Sequence, residues 1–214
     1  MNYQRLYEYR FRDVDQDARV DIWKIITADV YRRMGSPDKV LDPAAGRGEF
    51  INEVPASERW AIDMVAYEEG TYDEGVKAVT ADIFDAELPK DHFDGVWISN
   101  FLEHLLAQEQ TATLLEKLHT AMAPGGKIAI MGPNWRYTQN QYFDMADHTL
   151  IYSHKAIAEH VYAAGFEPEV IIPRFLPYSF TGRLPPSPAL TKAYLKFPPA
   201  WRLLGKQFLV IGTK

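Results

Sequence analysis

The sequence predicts a doubly wound α/β fold, a seven-stranded and mostly parallel sheet with helices on both faces. Three observations carry this prediction. Seven apolar runs of strand length recur along the 214 residues, helix-period segments alternate with them, and the first run opens into a tight glycine turn, "VLDPAAGRGEF" at 40–50.

Taken in order, "ARVDIWKIITADVYRRMG" places Val20, Trp23, Ile26, Val30 and Met34 at spacings of three and four, an amphipathic helix stopped by Gly35 and Pro37. The runs "KVLD", "RWAID", "KAVTAD", "FDGVWIS", "KIAIMG", "PEVII" and "QFLVIG" then read as strands with helical segments between them. Alternation of this kind implies right-handed crossovers and parallel pairing. Two of the helices are well marked. "LLAQEQTATLLEKLHTAMA" ends at Pro124-Gly125-Gly126, and "SHKAIAEHVYAAGF" has Ser153 as its N-cap and Gly165 as its stop. The last two strands lack a crossover helix and are expected to pair antiparallel at one edge.

Between those two strands, "PRFLPYSFTGRLPPSPALTKAYLKFPPAWRLLGK" holds seven of the chain's 14 prolines. Connections of this length are usually lids or ordered insertions. The stretch reads as a lid with a short helix near "ALTKAYLKF"; a proline-stapled arm covering the sheet edge is the alternative. The chain is therefore expected to be one domain: an N-terminal cap and helix over 1–35, a core over 36–172, the basic lid over 173–205 and a final edge strand over 206–214.

Composition bounds the function. With 47% apolar and 24% charged residues the chain falls in the soluble globular class, and a core of this size buries roughly 70% of the unfolded surface. The absence of cysteine excludes thiolate nucleophiles, cysteine zinc sites and iron–sulfur ligation. The opening "MNYQRLYEYRFRDVDQD" has no apolar signal core, and no apolar stretch nears the ~20 residues of a membrane span, so a cytoplasmic location is expected. Net charge is −6, unevenly spread. The last acidic residue is Glu169, and the 45 residues after it carry seven Lys or Arg, leaving residues 1–169 at a net −13. Such a body repels a nucleic-acid backbone, whereas the basic segment suits a small anionic ligand or an anionic membrane surface.

In a doubly wound sheet the first strand-to-helix turn is the usual ligand cradle. A dinucleotide fingerprint needs a third glycine where Ile51 stands, and no G-K-[ST] follows for a Walker loop. What remains is Asp42 at a strand end, a small-residue turn, and Asp63 at the end of "RWAID", placed to accept both hydrogens of a vicinal ribose diol. Asp82 in "TADIF" can accept from an adenine amino group, with Ile83 and Met64 sandwiching the ring. An adenosine-like ligand without a pyrophosphate is implied.

These stretches, with "FDGVWISNFLEHL" and "MAPGGKIAIMGPN", resemble the class I S-adenosylmethionine-dependent methyltransferases, in that family's order and at similar spacings over residues 40–134. The resemblance implies a Rossmann-like three-layer α/β/α fold with an antiparallel last strand. It implies S-adenosyl-L-methionine as cofactor, contacted by Asp42, Ala44, Gly46, Gly48, Asp63, Met64, Asp82, Ile83, Asn100 and Phe101. The departure is Ala44, where the family usually has its first glycine; alanine keeps the turn small but resists φ > 0. "DPAAGRGEF" also resembles the N6-adenine DNA methyltransferases, but their [NDS]-P-P-[YF] tetrapeptide is replaced here by "SNFLEH". More narrowly, "YEYRF", "SNFLEHL", "YFDMADH", "RFLPY" and "GKQFLVIGTK" are similar to bacterial methyltransferases encoded among glycan and secondary-metabolite genes.

Methyl transfer is an in-line displacement that needs alignment, exclusion of water and, for a hydroxyl acceptor, a base. His148 is the first candidate, a loop histidine bonded to a main-chain carbonyl being its other reading. His104 is the second, with a capping or cofactor-lining role as the alternative. Asp144, Asp147, Glu103 and the two histidines could group around magnesium, but their spacing does not demand it, and no metal is expected. Asn134, Tyr178 and Arg174 are the expected acceptor-binding residues, although Asn134 also suits a turn after strand five. Tyr3, Tyr7, Tyr9 and Phe11 are candidates to fold over the cofactor. Arg174, Arg183, Lys192, Lys196, Arg202 and Lys206, interleaved with aromatics, suit an acceptor with an anionic part, such as a nucleotide-linked or lipid-linked sugar.

The function expected is methyl transfer to a small molecule, at a hydroxyl of a sugar, glycolipid or secondary metabolite. The alternatives are a cofactor-binding but inert partner module and a nucleic-acid N-methyltransferase. Peripheral membrane contact stays open, as does the choice between monomer and homodimer.

Overall fold

A computed structural model of the chain describes residues 3–12, 15–178 and 187–214. Two helices lead, α1 (Tyr3–Phe11) and α2 (Gln16–Arg33), and Asp15 caps α2 by accepting from the Ala18 N–H at 3.1 Å. Ile22, Trp23, Ile26, Val30 and Met34 form the buried stripe of α2, while Val20, expected on it, is 45% exposed. The helix meets the sheet only from Ile22 onward.

Seven strands follow: β1 (Lys39–Asp42), β2 (Glu58–Asp63), β3 (Val76–Thr80), β4 (Phe93–Ser99), β5 (Met122–Pro133), β6 (Glu167–Ile172) and β7 (Gln207–Thr213). They form one sheet in the order β3-β2-β1-β4-β5-β7-β6, parallel throughout except that β7 runs antiparallel to both of its neighbours. The final strand is therefore interior and β6 is the edge, the reverse of the sequence expectation. The burial pattern gives the reason. "QFLVIG" in β7 is buried on both faces, whereas "EPEVII" in β6 alternates exposed and half-buried positions, as one-sided edge strands do.

A second correction concerns the crossovers. No regular helix joins β1 to β2, β2 to β3 or β3 to β4. After β1 only one helical turn survives, with Asn52 N–H to Gly48 O at 3.0 Å and Val54 N–H to Phe50 O at 3.0 Å. Glycines at positive φ (Gly46 and Gly48, then Gly70 and Gly75) and Pro55 and Pro89 break up these connections.

The clear helices lie beyond β4: α3 (Gln108–Ala121), the short α4 (Trp135–Thr138), α5 (His154–Ala163), α6 (Pro188–Leu195) and α7 (Pro198–Leu204). Ser153 caps α5, accepting from Ala156 N–H at 3.3 Å, and Gly165 ends it at φ 99°. α3 stops at Ala121, two residues short of the expected end. Pro124-Gly125-Gly126 instead sits in a break of register between β4 and β5, where Phe93 pairs with Met122 and pairing resumes at Gly95 and Lys127.

One core lies between the sheet and α3 and α5, built from Leu41, Ile62, Val96, Ile98, Leu115 and Val161 among others. The opposite core joins Val40, Ala61, Trp97 and Leu209 to Trp23 and Val30 of α2, Leu195 of α6 and Trp201 of α7. Neighbouring residues such as Val40 and Leu41 thus face opposite layers, the period of two that a sandwiched sheet imposes. The described part of the proline-rich stretch is packed structure: Tyr194 donates to Phe175 O at 2.9 Å and the Trp201 indole to Tyr194 O at 2.8 Å.

Candidate active site

A cavity of about 1180 Å³ opens at the carboxyl ends of β1 to β5 and extends to the inner face of α6. At one end stands the glycine turn. Asp42, closing β1, is buried and accepts the Ala44 N–H at 3.3 Å. Burial pushes its carboxyl well above the usual range, and the charges of Asp63 and Glu49 add to the effect. Asp63, closing β2, accepts Gly46 N–H through Oδ2 and Val65 N–H through Oδ1, each at 2.8 Å. Burial raises this carboxyl too, with the two main-chain bonds opposing.

Tyr72 holds the turn from the other side by donating to Gly46 O at 2.8 Å. Phe50, just past the turn, stacks on Trp97 of β4 with ring centroids 4.9 Å apart, a contact of about 0.5–1.5 kcal/mol beyond its area. Gly46 and Gly48 take φ of 54° and 79°, whereas Ala44 is not among the positive-φ residues. The missing glycine therefore leaves no strain. Gly48 does not line the cleft; a Cβ there would stand 2.8 Å from Asn52 Nδ2, so its requirement is packing and conformation.

Asp82 is exposed at the rim, its Oδ1 accepting the Phe84 N–H at 2.9 Å, beside buried Ile83. Met64 also lines the cleft and is 62% exposed. Asn100 and Phe101 enter from the end of β4. Asn100 has φ 48°, a left-handed conformation held by its N–H to Met131 O at 2.9 Å and its side chain to Ser99 Oγ at 3.1 Å. Strain of this kind concentrates at functional sites.

The other end is built from two segments. A 3-10 turn, Leu102–His104, follows β4, and a loop carrying Asp147 and His148 follows β5. The Glu103 carbonyl accepts from Thr149 N–H at 2.8 Å and Leu150 N–H at 3.1 Å, which ties the two together. His104 and His148 consequently face one another, ring centroids 5.0 Å apart and 67° inclined. His104 Nδ1 lies 3.0 Å from the Asp147 carbonyl, and Arg10 of α1 pairs with the Asp147 carboxylate. Burial alone would raise Asp147, but the Arg10 hydrogen bond and the His104 charge hold it below the usual range. Burial and the neighbouring His104 push His148 down to about 4, so its imidazole is neutral at pH 7. Burial raises the Glu103 carboxyl against the pull of His104. Tyr178 closes this end, its ring 6.4 Å from His148.

Residues 21–170 match a family model described as a methyltransferase domain. The chain belongs to this methyltransferase family. S-adenosylmethionine is accordingly its cofactor. No curated protein matches the sequence. Among solved structures, an S-adenosylmethionine-dependent methyltransferase from Archaeoglobus fulgidus superposes over 100% of both chains, with TM-score 0.68 and 21% identity. One from Thermotoga maritima covers 98% of both at TM-score 0.68 and 10% identity. The 1,6-didemethyltoxoflavin N1-methyltransferase of Burkholderia thailandensis aligns over 99% of this chain and 88% of its own at TM-score 0.60 and 20% identity; that structure contains its acceptor and S-adenosylhomocysteine.

The methyltransferase offers a cleft whose donors and acceptors fit this cofactor. Asp63 is fixed by its two main-chain bonds and keeps further lone pairs free, and Asp82, Ile83 and Met64 line the same cleft. His104, His148 and Tyr178 line the same cleft. Two expected acceptor residues do not. The Asn134 side chain donates to Pro173 O at 2.7 Å, contacts His154 Nδ1 at 2.9 Å and accepts Arg136 N–H, which makes it a turn former. Arg174 donates to Gly205 O at 2.7 Å and Leu203 O at 3.0 Å, capping the carboxyl end of α7.

The basic lid is also corrected. Lys192, Lys196 and Arg202 are exposed away from the cleft and Lys206 bonds Gln141, whereas Leu190, Ala193, Tyr194, Phe197 and Leu204 face the cavity. Arg183 and Phe180 lie outside the described residues, as do the side chains of Tyr3, Tyr7 and Phe11. Tyr9 is 68% exposed under the Arg12 guanidinium and does not line the cleft. Sequence reasoning missed Arg10 and Tyr67, which line the cleft; Arg10 sits in "YEYRF" but only the fold brings α1 to the β5 loop, and Tyr67 sits in no motif. No helix of the described residues is long and apolar enough to cross a membrane.

Proposed function

We propose that this methyltransferase acts on a hydroxyl of a small molecule with a largely apolar body, such as a glycolipid, a sugar conjugate or a secondary metabolite. One observation carries the reading: a single cavity runs from Asp63 past the His104–His148 pair to an apolar wall made by α6. Its volume exceeds what one ligand of drug size needs, leaving room for an acceptor beside the cofactor. Bound S-adenosylmethionine supplies an electrophilic methyl on a sulfonium sulfur, whose electron pair stays behind as a thioether. Asp63 holds the ribose diol and Asp82 the adenine amino group. His104 and His148 serve the acceptor oxygen, which must shed its proton as it gains the methyl. The apolar wall excludes water and positions the acceptor for in-line attack.

The test has two parts. Calorimetric titration with S-adenosylmethionine should give micromolar binding that Asp63→Ala weakens at least tenfold, about 1.4 kcal/mol. A panel of hydroxylated amphiphiles and matched amines, assayed by S-adenosylhomocysteine release, should then show turnover with the alcohols. Turnover confined to the amines overturns the oxygen assignment.

A further inference from the structure

We infer that Glu103, His104 and His148 form a binding site for a divalent cation at the acceptor end of the cleft. One ligand atom from each lies within 4.8 Å of the other two. Small rotations of the side chains contract that spread to the bonds of about 2.1 Å typical of nitrogen and oxygen ligands. All three residues line the cavity, so the remaining coordination positions open toward the acceptor.

The surroundings are those that fix a metal ligand in place. Asp147 engages His104 Nδ1 through its main-chain carbonyl at 3.0 Å and approaches it with Oδ2 at 3.5 Å. A ligating histidine is usually held this way through its other nitrogen, which sets the tautomer and leaves Nε2 as the free donor. Asp147 is in turn anchored by Arg10. The carbonyl of Glu103 bonds to Thr149 and Leu150, so the turn carrying two of the ligands and the loop carrying the third move as one unit.

A second, independent observation points to a missing partner. His148 Nδ1, Asp147 Oδ2 and Tyr178 Oη are all buried without a hydrogen-bond partner among the described residues, and all three stand at this end of the cleft. Buried polar atoms are normally satisfied, and a cluster of exceptions calls for an unplaced ion, water or ligand. A cation with its bound water supplies two of the three, taking His148 directly and reaching Tyr178 through the water, while Asp147 Oδ2 faces His104 Nδ1 at 3.5 Å. Two imidazoles and one carboxylate suit zinc or another first-row divalent ion better than magnesium, which prefers an all-oxygen shell.

The purpose assigned to the site rests on the hydroxyl-acceptor reading above. A cation held here takes the acceptor oxygen as a further ligand and acidifies it; the O–H proton leaves to water, and the oxygen forms its bond to the methyl carbon as the methyl–sulfur bond breaks and its electron pair stays on sulfur. The histidines then act together through the ion.

The experiment is calorimetric titration of chelator-treated full-length protein with zinc chloride, magnesium chloride serving as the comparison. Zinc should bind at one equivalent and more tightly than magnesium. Glu103→Gln and His148→Ala should each weaken zinc at least tenfold, with S-adenosylmethionine affinity retained as proof of folding. Wild-type protein that binds S-adenosylmethionine but no zinc overturns the inference, as does zinc binding that neither substitution alters. The two readings fail separately. Hydroxyl methylation at full rate in chelator-treated protein removes the cation and leaves the function, whereas one-equivalent zinc binding without alcohol turnover removes the acceptor assignment and leaves the site.

Discussion

At the Asp63 end of the cleft both carboxylate oxygens already accept a main-chain N–H, while at the His148 end three buried polar atoms have no hydrogen-bond partner among the described residues. The first region is preorganised: the glycine turn, Tyr72 and the stacked Phe50 and Trp97 hold the acids at fixed positions. The second is completed only when something binds. Preorganisation lowers the cost of ordering on binding, which suits a cofactor common to every turnover. An incomplete end suits the partner whose arrival must trigger chemistry.

The largest effect that would test this contrast is at His148. His148→Ala should lower kcat by about 10²- to 10⁴-fold, the usual contribution of the machinery, direct or through a bound ion, on which removal of the acceptor proton depends. Affinity for S-adenosylmethionine should stay unchanged, because the cofactor end does not depend on that loop. A parallel loss of cofactor affinity would merge the two regions into one and break the comparison.

Gly48→Ala strikes the preorganised end. The new Cβ would stand 2.8 Å from Asn52 Nδ2 and 3.1 Å from Tyr72 Cδ1, at a φ of 79°. A non-glycine residue in such a conformation costs about 1–3 kcal/mol, and Tyr72 is the residue that grips Gly46. Denaturant unfolding should show a loss of that order, together with weaker cofactor binding. Unchanged stability would mean that the turn relaxes readily and is not preset.

The same end carries a pH signature. Asp63 and Asp42 both have carboxyl groups raised by burial. A raised acid binds its proton more readily in the folded chain, so folding gains stability as pH falls through the raised values and loses it as pH rises through them. Cofactor affinity runs the other way, because a protonated Asp63 no longer accepts two hydroxyl hydrogens. As pH falls from neutrality to the ordinary aspartate range, the Asp63 contribution to the melting temperature of the ligand-free protein should therefore rise while S-adenosylmethionine binding weakens, and the buried neutral His148 and His154 pull the total stability the other way. Asp63→Asn should flatten both trends; binding that stays constant across the window would show that the diol is held elsewhere.

The contrast also explains what was legible in the sequence. Asp42, Gly46, Asp63, Asp82 and Asn100 each sit at a strand end or in a short local pattern, and the sheet converts chain order into a cleft. At the other end the local patterns, "SNFLEHL" with His104 and "YFDMADH" with His148, name the residues but not their meeting. His104 and His148 are far apart in sequence, and they meet only because the Glu103 carbonyl bonds to Thr149 and Leu150. Charge counting misled for the same reason: Lys192, Lys196 and Arg202 share a segment with the cavity-facing residues but lie on the outer side of α6 and α7. Strand order failed in one place, where β7, last in the chain, inserts between β5 and β6. Its unbroken apolar run, against the alternation of β6, was the signal available.

The smallest effect belongs to Ala44. Its amide donates to Asp42 Oδ1, a bond made by the backbone that either residue supplies, and its φ is not positive. Restoring the glycine found in related turns therefore removes no strain, and the freer unfolded chain should make Ala44→Gly less stable by about 0.4–1 kcal/mol. Because Ala44 lines the cleft, the methyl group either contacts the bound cofactor or stands clear of it. S-adenosylmethionine affinity within twofold of wild type, beside that small loss of stability, would mean it stands clear and the turn owes its shape to Gly46 and Gly48 alone. A gain of tenfold or more in affinity would mean that the alanine crowds the cofactor, and that this end is less completely preset than the bonds to Asp63 imply.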